Sequence, residues 1–271
     1  MTLRGKPLRG AADISTLNRN SQLVEYTMTY NKSINKNHLI NVLGGLTYQN
    51  FESKFFGASI TGFPTDAIKT DNLGLGDTNN DFLRSNREQN TLLSYLGRVN
   101  YNLLDKFLFT ASIRADGSSR FGANNKYGYF PSFAFGYKLT NEDFLPKSFD
   151  ELKVRASWGQ TGNQEISNYA SQLTFGSGPN VIFNNTVLNS VIPLRIANPD
   201  LKWETTTQFN VGLDGSLYNG RLSGTVDYFY KKTTDLLFDL PLPRASGYSS
   251  ILSNVGSVEN KGIEVFLSGV I

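Results

Sequence analysis

The sequence predicts an all-β protein, an antiparallel up-and-down transmembrane β-barrel of which this chain forms a part. Apolar and polar residues alternate with a period of two, in runs of about ten residues. Short and long connections follow one another along the chain. The composition agrees, because 13% of the 271 residues are aromatic and only 18% are charged. An average soluble domain has roughly 25% charged residues.

The alternation is clearest in two neighbouring runs near the C-terminal end. In the run 205–217, Phe209 and Val211 alternate with polar residues, and in the run 221–231, Val226 and Tyr228 do the same. Successive side chains of a strand point to opposite faces, so each run has one apolar and one polar face. Nine such runs, which we expect to be nine strands, are 22–31, 38–49, 92–103, 106–116, 129–140, 151–159, 205–217, 221–231 and 260–270.

The connections between these runs alternate in length. The turns at 104–105 and 218–220 are very short, whereas the connections 50–91, 160–204 and 232–259 are long. Strands joined by tight turns are antiparallel, so all the long loops lie at one end of the predicted sheet. This arrangement is typical of an outer-membrane β-barrel, which has short periplasmic turns and longer extracellular loops.

A soluble all-β module, such as an adhesin-like binding domain, is the alternative interpretation. The strands of a soluble sandwich or solenoid also alternate between apolar and polar residues. The length of the runs, the alternating connections and the aromatic content favour the membrane barrel. In that barrel the apolar face would contact lipid of the outer membrane, and the polar face would line an aqueous lumen.

The composition also excludes several classes of function. The chain has no Cys and a single His, His38, so it cannot build a thiolate or imidazole metal cluster. The single His also leaves almost no material for a nucleophile–base pair, and we expect no enzyme activity and no cofactor. A net charge of +3 is not typical of nucleic-acid binding. No apolar run is long enough for a transmembrane helix, and the N-terminus lacks the apolar region of a secretory signal.

A series of short strings occurs in a fixed order over most of the chain. The strings are YLGRVNYN (95–102), DKFLFTASIRADGSSRFG (105–122), GYFPS (128–132), NEDFL (141–145), LKVRASWG (152–159), TGNQ (161–164), NPDLKWE (198–204), NVG (254–256) and ENKGIE (259–264). This ordered set closely resembles the SusC/RagA family of TonB-dependent outer-membrane transporters of Bacteroidetes. Each string alone would be a weak signal, whereas their common order is a strong one.

The resemblance implies a barrel of about 22 antiparallel strands around an N-terminal plug. It also implies uptake of large nutrients, typically oligosaccharides or peptides, with a SusD-like lipoprotein as a lid and with energy supplied through TonB. We find no plug, no TonB-binding box and no signal peptide in the sequence. We therefore expect residues 1–271 to form a partial barrel, without a plug domain, in the cell outer membrane, with TonB contacted through a region absent here. Two open sheet edges would keep such an arc from inserting stably alone.

Four residues are candidates for a ligand-binding site. Arg114, Asp116 and Arg120 surround the segment 117–119, and they could form a cluster in the lumen or at its rim that contacts ligand. The alternative is a turn in which Gly and Ser permit the bend and the charges pair with neighbours. Trp203 follows the turn Asn198–Asp200, where an interfacial anchor is a better interpretation than a platform for sugar stacking.

Acidic residues on the polar faces have a structural interpretation as well. Asp214 and Asp227 lie on two strands joined by a tight turn. We expect them to pair with arginines such as Arg98, Arg155 or Arg221 rather than to catalyse a reaction. Substrate contacts are expected mainly from the long loops, because loops on a rigid scaffold carry recognition.

Overall fold

The computed structural model describes residues 10–65, 67, 69–77, 79, 81–146 and 148–270. Within these ranges one sheet of nine strands dominates the fold. Its strands are β1 (Ala11–Asn35), β2 (His38–Thr61), β3 (Phe82–Leu103), β4 (Phe107–Ser118), β5 (Tyr127–Lys138), β6 (Phe149–Asn163), β11 (Glu204–Leu217), β12 (Leu222–Thr234) and β15 (Ser257–Gly269). Each of the nine predicted runs corresponds to one of these strands, so the predicted all-β architecture is confirmed.

Six shorter strands form three two-stranded ribbons within the long connections. They are β7 (Thr174–Ser177), β8 (Val181–Phe183), β9 (Thr186–Leu188), β10 (Val191–Arg195), β13 (Leu237–Pro241) and β14 (Ser250–Asn254). The remaining short elements are 3-10 turns at Leu73–Leu75, Leu139–Asn141 and Arg244–Ser246. No described helix has the length and apolar character needed to cross a membrane.

The strand order of the sheet follows the order of the chain, β1-β2-β3-β4-β5-β6-β11-β12-β15. Every pair of neighbours from β3 to β15 is antiparallel. The connections β3–β4 and β11–β12 are tight, and Leu104 and Asp105 both have positive φ angles, as the two central residues of a type I′ turn do. The alternation of short and long connections therefore gives the sheet a short-turn end and a long-loop end.

Three predicted boundaries were wrong at the long-loop end. β1 and β2 extend well beyond the runs 22–31 and 38–49, and with the early start of β3 they reduce the predicted connection 50–91 to residues 62–81. The connections 160–204 and 232–259 contain the three ribbons instead of being irregular. The extension of β1 has no clear alternation because most of its side chains are exposed. The extension of β2 differs, since Ala58 and Ile60 near its end are buried. Backbone hydrogen bonds hold the exposed segments in strands, and the alternation of apolar and polar side chains does not reveal such bonds.

The described residues fall into two compact units. The first unit comprises the described residues up to Leu23 together with Gln49–Thr91. Its small core contains Ala12, Ile60 and Phe63, against which Leu73 packs. The second unit, Val24–Tyr48 and Leu92–Ile271, holds most of the sheet and every candidate residue of the sequence.

The strand register separates apolar from polar side chains across the second unit. Trp158 of β6 stands opposite Phe133 of β5 and opposite Phe209 of β11, which in turn is opposite Tyr230 of β12. Asp214, an odd number of residues along β11 from Phe209 and therefore on the other face, stands opposite Lys153 and Thr225. The single-strand patterns thus add up to one continuous apolar face and one continuous polar face, as the sequence predicts.

The apolar face is far more exposed than a soluble fold allows. Ile113, Phe133 and Val265 retain 52%, 56% and 61% of their accessible surface. Soluble monomers rarely expose contiguous apolar patches larger than a few hundred square ångströms. A face of this kind needs an apolar environment to cover it, which lipid provides for a membrane barrel.

A row of aromatic rings lies on this face near the short-turn end. The rings of His38 and Tyr101 are stacked at 6.0 Å, and His38 Nδ1 lies 2.6 Å from the Tyr101 hydroxyl. Tyr101 stacks on Phe109, whose ring contacts Phe135 at 5.1 Å. Aromatic rings with one polar end suit the boundary between lipid and water, so this row is placed as an interfacial aromatic belt would be.

Charged side chains hold together the connections at the short-turn end, next to this row of rings. Lys106 Nζ donates a hydrogen bond to Glu142 Oε2 at 2.9 Å, and the Tyr137 hydroxyl donates to Glu142 Oε1 at the same distance. Lys138 Nζ forms an ion pair with Asp105 at 2.8 Å. These contacts connect the β3–β4 turn to the β5–β6 connection. The two hydrogen bonds, first that from Lys106 and then that from Tyr137, hold the pKa of the Glu142 carboxyl below its usual value.

We predict that membrane-impermeant maleimide distinguishes the two faces when cysteines are introduced into this cysteine-free chain. Thr225→Cys on the polar face should react readily in intact outer membranes, whereas the adjacent Val226→Cys should be protected because lipid covers it. The measurement is the labelled fraction of each variant in membranes, with labelling after denaturation as the control. Equal labelling of both cysteines in membranes would contradict the assignment of the faces.

We also predict an acid-sensitive contact at the short-turn end. Because the folded-state pKa of Glu142 is lowered, its contribution to stability is fully present above the unfolded pKa. That contribution is lost as the pH falls through the lowered value. Hydrogen exchange of the β5–β6 connection, compared between the wild type and Glu142→Gln at each pH, should show a protection difference at neutral pH. This difference should vanish at acidic pH, and a difference that persists there would contradict the role of the carboxylate.

Candidate functional site

Hydrogen bonds between side chains cross the polar face from strand to strand. Asn41 on β2 donates to Asn31 on β1 at 2.5 Å and accepts from Asn100 on β3 at 2.9 Å. Asn100 in turn accepts from the Thr110 hydroxyl on β4 at 2.9 Å. Uncharged amides and hydroxyls thus form a continuous chain over four strands, and they offer polar groups that both donate and accept.

A charged cluster occupies the same face farther along the sheet. The Arg155 guanidinium of β6 donates through Nε to both Asp214 oxygens, at 2.9 and 3.0 Å, and through Nη2 to Asp227 at 2.7 Å. Lys153 Nζ lies 3.5 Å from Asp214. The expected pairing of both acids with arginine is confirmed for Arg155. Arginine suits this position because its planar fork can bind two carboxylates at once.

Arg114 and Asp116 lie together on β4, two residues apart and therefore on the same face. Arg114 Nε donates to the two Asp116 oxygens at 2.7 and 2.8 Å, and Nη2 donates to the Ser94 hydroxyl of β3 at 3.1 Å. Asp116 and Ser94 are buried, whereas 44% of the Arg114 side chain is exposed. Two buried groups therefore hold an arginine whose remaining donor atoms face outward.

A groove of about 480 Å³ opens beside Arg114 at the long-loop end of the polar face. Ser112 and Ser132, whose hydroxyls lie 2.8 Å apart, form part of its wall. Leu92 and Phe130 add apolar surface. The volume falls within the range of small-molecule sites, roughly 300–1,000 Å³. The groove thus combines a charged donor, hydroxyl groups and an apolar wall.

Arg120 is positioned by the loop that follows β6. Its Nη1 donates to the Gln164 carbonyl at 3.1 Å and its Nε donates to Asn168 Oδ1 at 3.1 Å. Both acceptors are uncharged, so these two contacts leave the positive charge of Arg120 at the rim of the face without a carboxylate beside it in the described part of the chain. Arg114, Asp116 and Trp203 line the groove together, whereas Arg120 does not line it.

Trp203 belongs to a buried cluster, and its interpretation as an interfacial anchor was wrong. Only 6% of its surface is exposed, and its ring packs on Phe121 at 4.7 Å and edge-on against Phe130 at 5.5 Å. Its Nε1 donates to the Lys126 carbonyl at 3.1 Å. The burial equally removes it as a platform on which a sugar could stack. The cluster also contains Leu201, which is fully buried.

Backbone contacts lock the β4–β5 loop onto the segment before β11. The Gly122 amide donates to the Leu201 carbonyl at 2.9 Å, and a Cβ atom at Gly122 would stand 2.0 Å from the Pro199 carbonyl oxygen. Asn124 and Asn125 both donate to Asp200. The strings RFG and NPDLKW, far apart in sequence, therefore form one packed unit.

A third loop joins this unit through asparagines. Asn198 Nδ2 donates to the Leu252 carbonyl at 2.8 Å. Asn254 Nδ2 donates to the carbonyl of Lys202 at 2.7 Å, and Asn254 Oδ1 accepts from the Lys202 amide at 2.9 Å. The loops at 119–126, 164–203 and 235–256 are thus connected into a single platform at the long-loop end. Sequence patterns could not reveal this, since each residue finds its partner more than fifty positions away.

We predict that Gly122→Ala opens this platform, because the added methyl group would overlap the Pro199 carbonyl. Overpacking of this kind costs about 1–3 kcal/mol. The measurement is the rate at which protease added outside the cell cuts the β4–β5 loop, which should rise. Gly44→Ala is the matched control, since nothing lies within 4 Å of its added Cβ. Unchanged cleavage of Gly122→Ala would contradict the packing described for this loop.

Comparison with known proteins agrees with this geometry. A family model described as TonB dependent receptor-like, beta-barrel matches residues 4–270. Two TonB-dependent receptors of Formosa agariphila are 38% and 40% identical, over 96% and 97% of this chain and 26% of each receptor. TonB-dependent receptor SusC of Bacteroides thetaiotaomicron is 40% identical over 65% of this chain and 18% of its own length.

A solved structure of similar fold is that of the RagAB peptide transporter. The TM-score is 0.88 at 32% identity, covering 96% of this chain and 28% of that one. The chain thus spans about a quarter of the length of the curated relatives that it matches over nearly all its residues. These relatives are receptors and transporters rather than enzymes, and the match favours the barrel over a soluble module. The chain belongs to the TonB-dependent receptor β-barrel family, and it is similar to the SusC and RagA members of that family.

Proposed function

We propose that residues 1–271 form part of the barrel wall of an outer-membrane transporter that imports large nutrients, oligosaccharides or peptides. The observation that carries the proposal is the pairing of an exposed apolar face with a polar face linked from strand to strand. Lipid would cover the first face, and nutrient would pass along the second. TonB would supply energy through a region that is absent from this chain.

A SusD-like surface lipoprotein is the proposed lid of this transporter. The resemblance to SusC and RagA supports such a partner, and the ribbons of the longest loop add a second argument. From Ile166 to Leu194 the chain carries no charged residue. Ile182 and Phe183 near the tip are 72% and 70% exposed. A two-stranded ribbon is marginally stable alone, so an apolar protein surface would stabilise it.

Arg114, Asp116 and Arg120 are the proposed ligand contacts of this wall segment. The groove beside Arg114 and the rim position of Arg120 support the assignment. Trp203 would support this site as part of the groove wall, where its ring packs edge-on against Phe130. The platform of three loops would hold these groups in fixed positions, which reduces the conformational entropy that ligand binding costs.

The first test of transport is genetic. A strain lacking the gene is grown on single oligosaccharides and single peptides, and we expect growth to fail on one nutrient class. Normal growth on all of them, with normal uptake of each, would contradict the proposal.

A second test blocks the proposed path in the complete receptor. Ala134→Cys lies on the polar face, and Ala156→Cys, one strand away, lies on the apolar face. We expect a polymer-linked maleimide to reduce uptake through Ala134→Cys and to leave uptake through Ala156→Cys unchanged. The two variants replace the same residue type, so the comparison isolates the face. If treatment with the maleimide changes uptake by the same amount in both variants, or in neither, a path along the polar face would be contradicted.

A further inference from the structure

The charges on the polar face are unevenly distributed between its two sides. On one side, Arg98 lies on β3 and Arg114 lies on β4. One carboxylate, Asp116, follows Arg114 toward the long-loop end of β4. At the other side, Glu264 of β15 stands directly opposite Asp227 of β12. Arg155 already pairs with Asp227 on this side, and Glu264 adds a further negative charge there, so this side disfavours an added anion.

Arg98 has no ion-pair partner among the described residues. It stands opposite Ser112, one of the residues that line the groove, and its side chain is exposed. Arg114 stands opposite Leu96, two residues away on the same face. Diagonal neighbours of this kind lie about 7–8 Å apart, within reach of two long side chains that converge on one group.

We propose that this groove binds an oxyanion of the ligand, a carboxylate, between Arg98 and Arg114. This inference rests on the proposed transport function and narrows its substrate class. Asp116 accepts hydrogen bonds from Nε of Arg114, and the Ser94 hydroxyl accepts one from Nη2. The third nitrogen of the guanidinium, Nη1, is therefore available to donate to a ligand. Arginine donors match the planar geometry of a carboxylate.

The groove itself is lined by one cation, Arg114, and one carboxylate, Asp116. Arg98, on the same face opposite the lining residue Ser112, adds beside the groove a positive charge that has no ion-pair partner among the described residues. The Ser112 and Ser132 hydroxyls supply further donors, and Leu92 and Phe130 cover the apolar part of a ligand. An acidic sugar and an acidic side chain of a peptide share the required carboxylate, and binding tests can separate them.

The test uses the complete purified receptor and two pairs of probes. One pair is tetragalacturonate and its methyl ester, and the other is a capped pentapeptide with two Glu residues and its Gln counterpart. We expect the receptor to bind the acidic member of one pair at least about tenfold more tightly than its neutral counterpart. A loss of this size corresponds to one charge-assisted hydrogen bond. The sugar pair and the peptide pair identify the source of the carboxylate.

Variants assign the preference to the two arginines. Arg114→Gln and Arg98→Gln should each remove most of the preference for the acidic probe, measured as the ratio of the dissociation constants of the acidic and neutral probes. Arg114→Gln leaves the buried Asp116 without its partner, and this variant could misfold for that reason. Arg98→Gln keeps the test interpretable in that case, because Arg98 has no ion pair to lose among the described residues. Arg221→Gln, which removes the same charge at the exposed β11–β12 turn, is the control and should keep the preference.

The outcomes separate this inference from the transport function. If both members of each pair bind equally, or if no acidic probe binds, the oxyanion site is overturned, while uptake of a neutral nutrient would leave transport intact. An acidic preference that Arg221→Gln reduces as strongly as Arg114→Gln would also overturn it, because general charge would then explain the binding. If nutrient uptake is absent altogether, the transport proposal itself fails.

Discussion

The structure depends on one constraint, which is that every backbone N–H and C=O group of a strand in lipid must pair within the sheet. A strand that pairs its backbone with two neighbours is free to place alternate side chains in different solvents. The register of β4, β5 and β6 uses this freedom on every strand, because it aligns Phe109 with Phe135 and places Ser112 opposite Ser132. The two faces, and hence the proposed transport path, follow from this backbone pairing.

Polar side chains then determine what the inner surface offers. The chain of amides from Asn31 to Thr110 is uncharged, whereas the region around Arg155 has balanced charges held in a fixed geometry. Between them lies the groove lined by Arg114 and Asp116, and Arg98 beside it has no ion-pair partner among the described residues. A single sheet therefore presents three chemically different surfaces along one face, and the strand register determines the order in which they occur.

Much of this fold could be predicted from the sequence, and the reasons for the failures are physical. Period-2 alternation located all nine strands because lipid and water on opposite faces select residues at every second position. It missed the outer part of β1 and the three ribbons, where most side chains are exposed and no contrast between lipid and water acts on alternate positions. It also missed the outer part of β2, where Ile60 is buried in the small core of the first unit. The pairing of Arg155 with Asp214 was foreseeable from face and charge. The burial of Trp203 was not, because its partners Phe121 and Phe130 lie more than seventy residues away.

The most direct measurement of the central claim uses the two tryptophans of this chain. Trp158 lies on the apolar face, and Trp203 is buried in the loop platform. The complete receptor is reconstituted in bilayers with brominated acyl chains, and the fluorescence quenched by bromine is compared for the wild type, Trp158→Phe and Trp203→Phe. We predict that Trp158→Phe removes emission that bromine quenches, whereas Trp203→Phe removes emission that bromine does not quench. Emission of Trp158 that is insensitive to brominated lipid would contradict the assignment of the apolar face to the membrane.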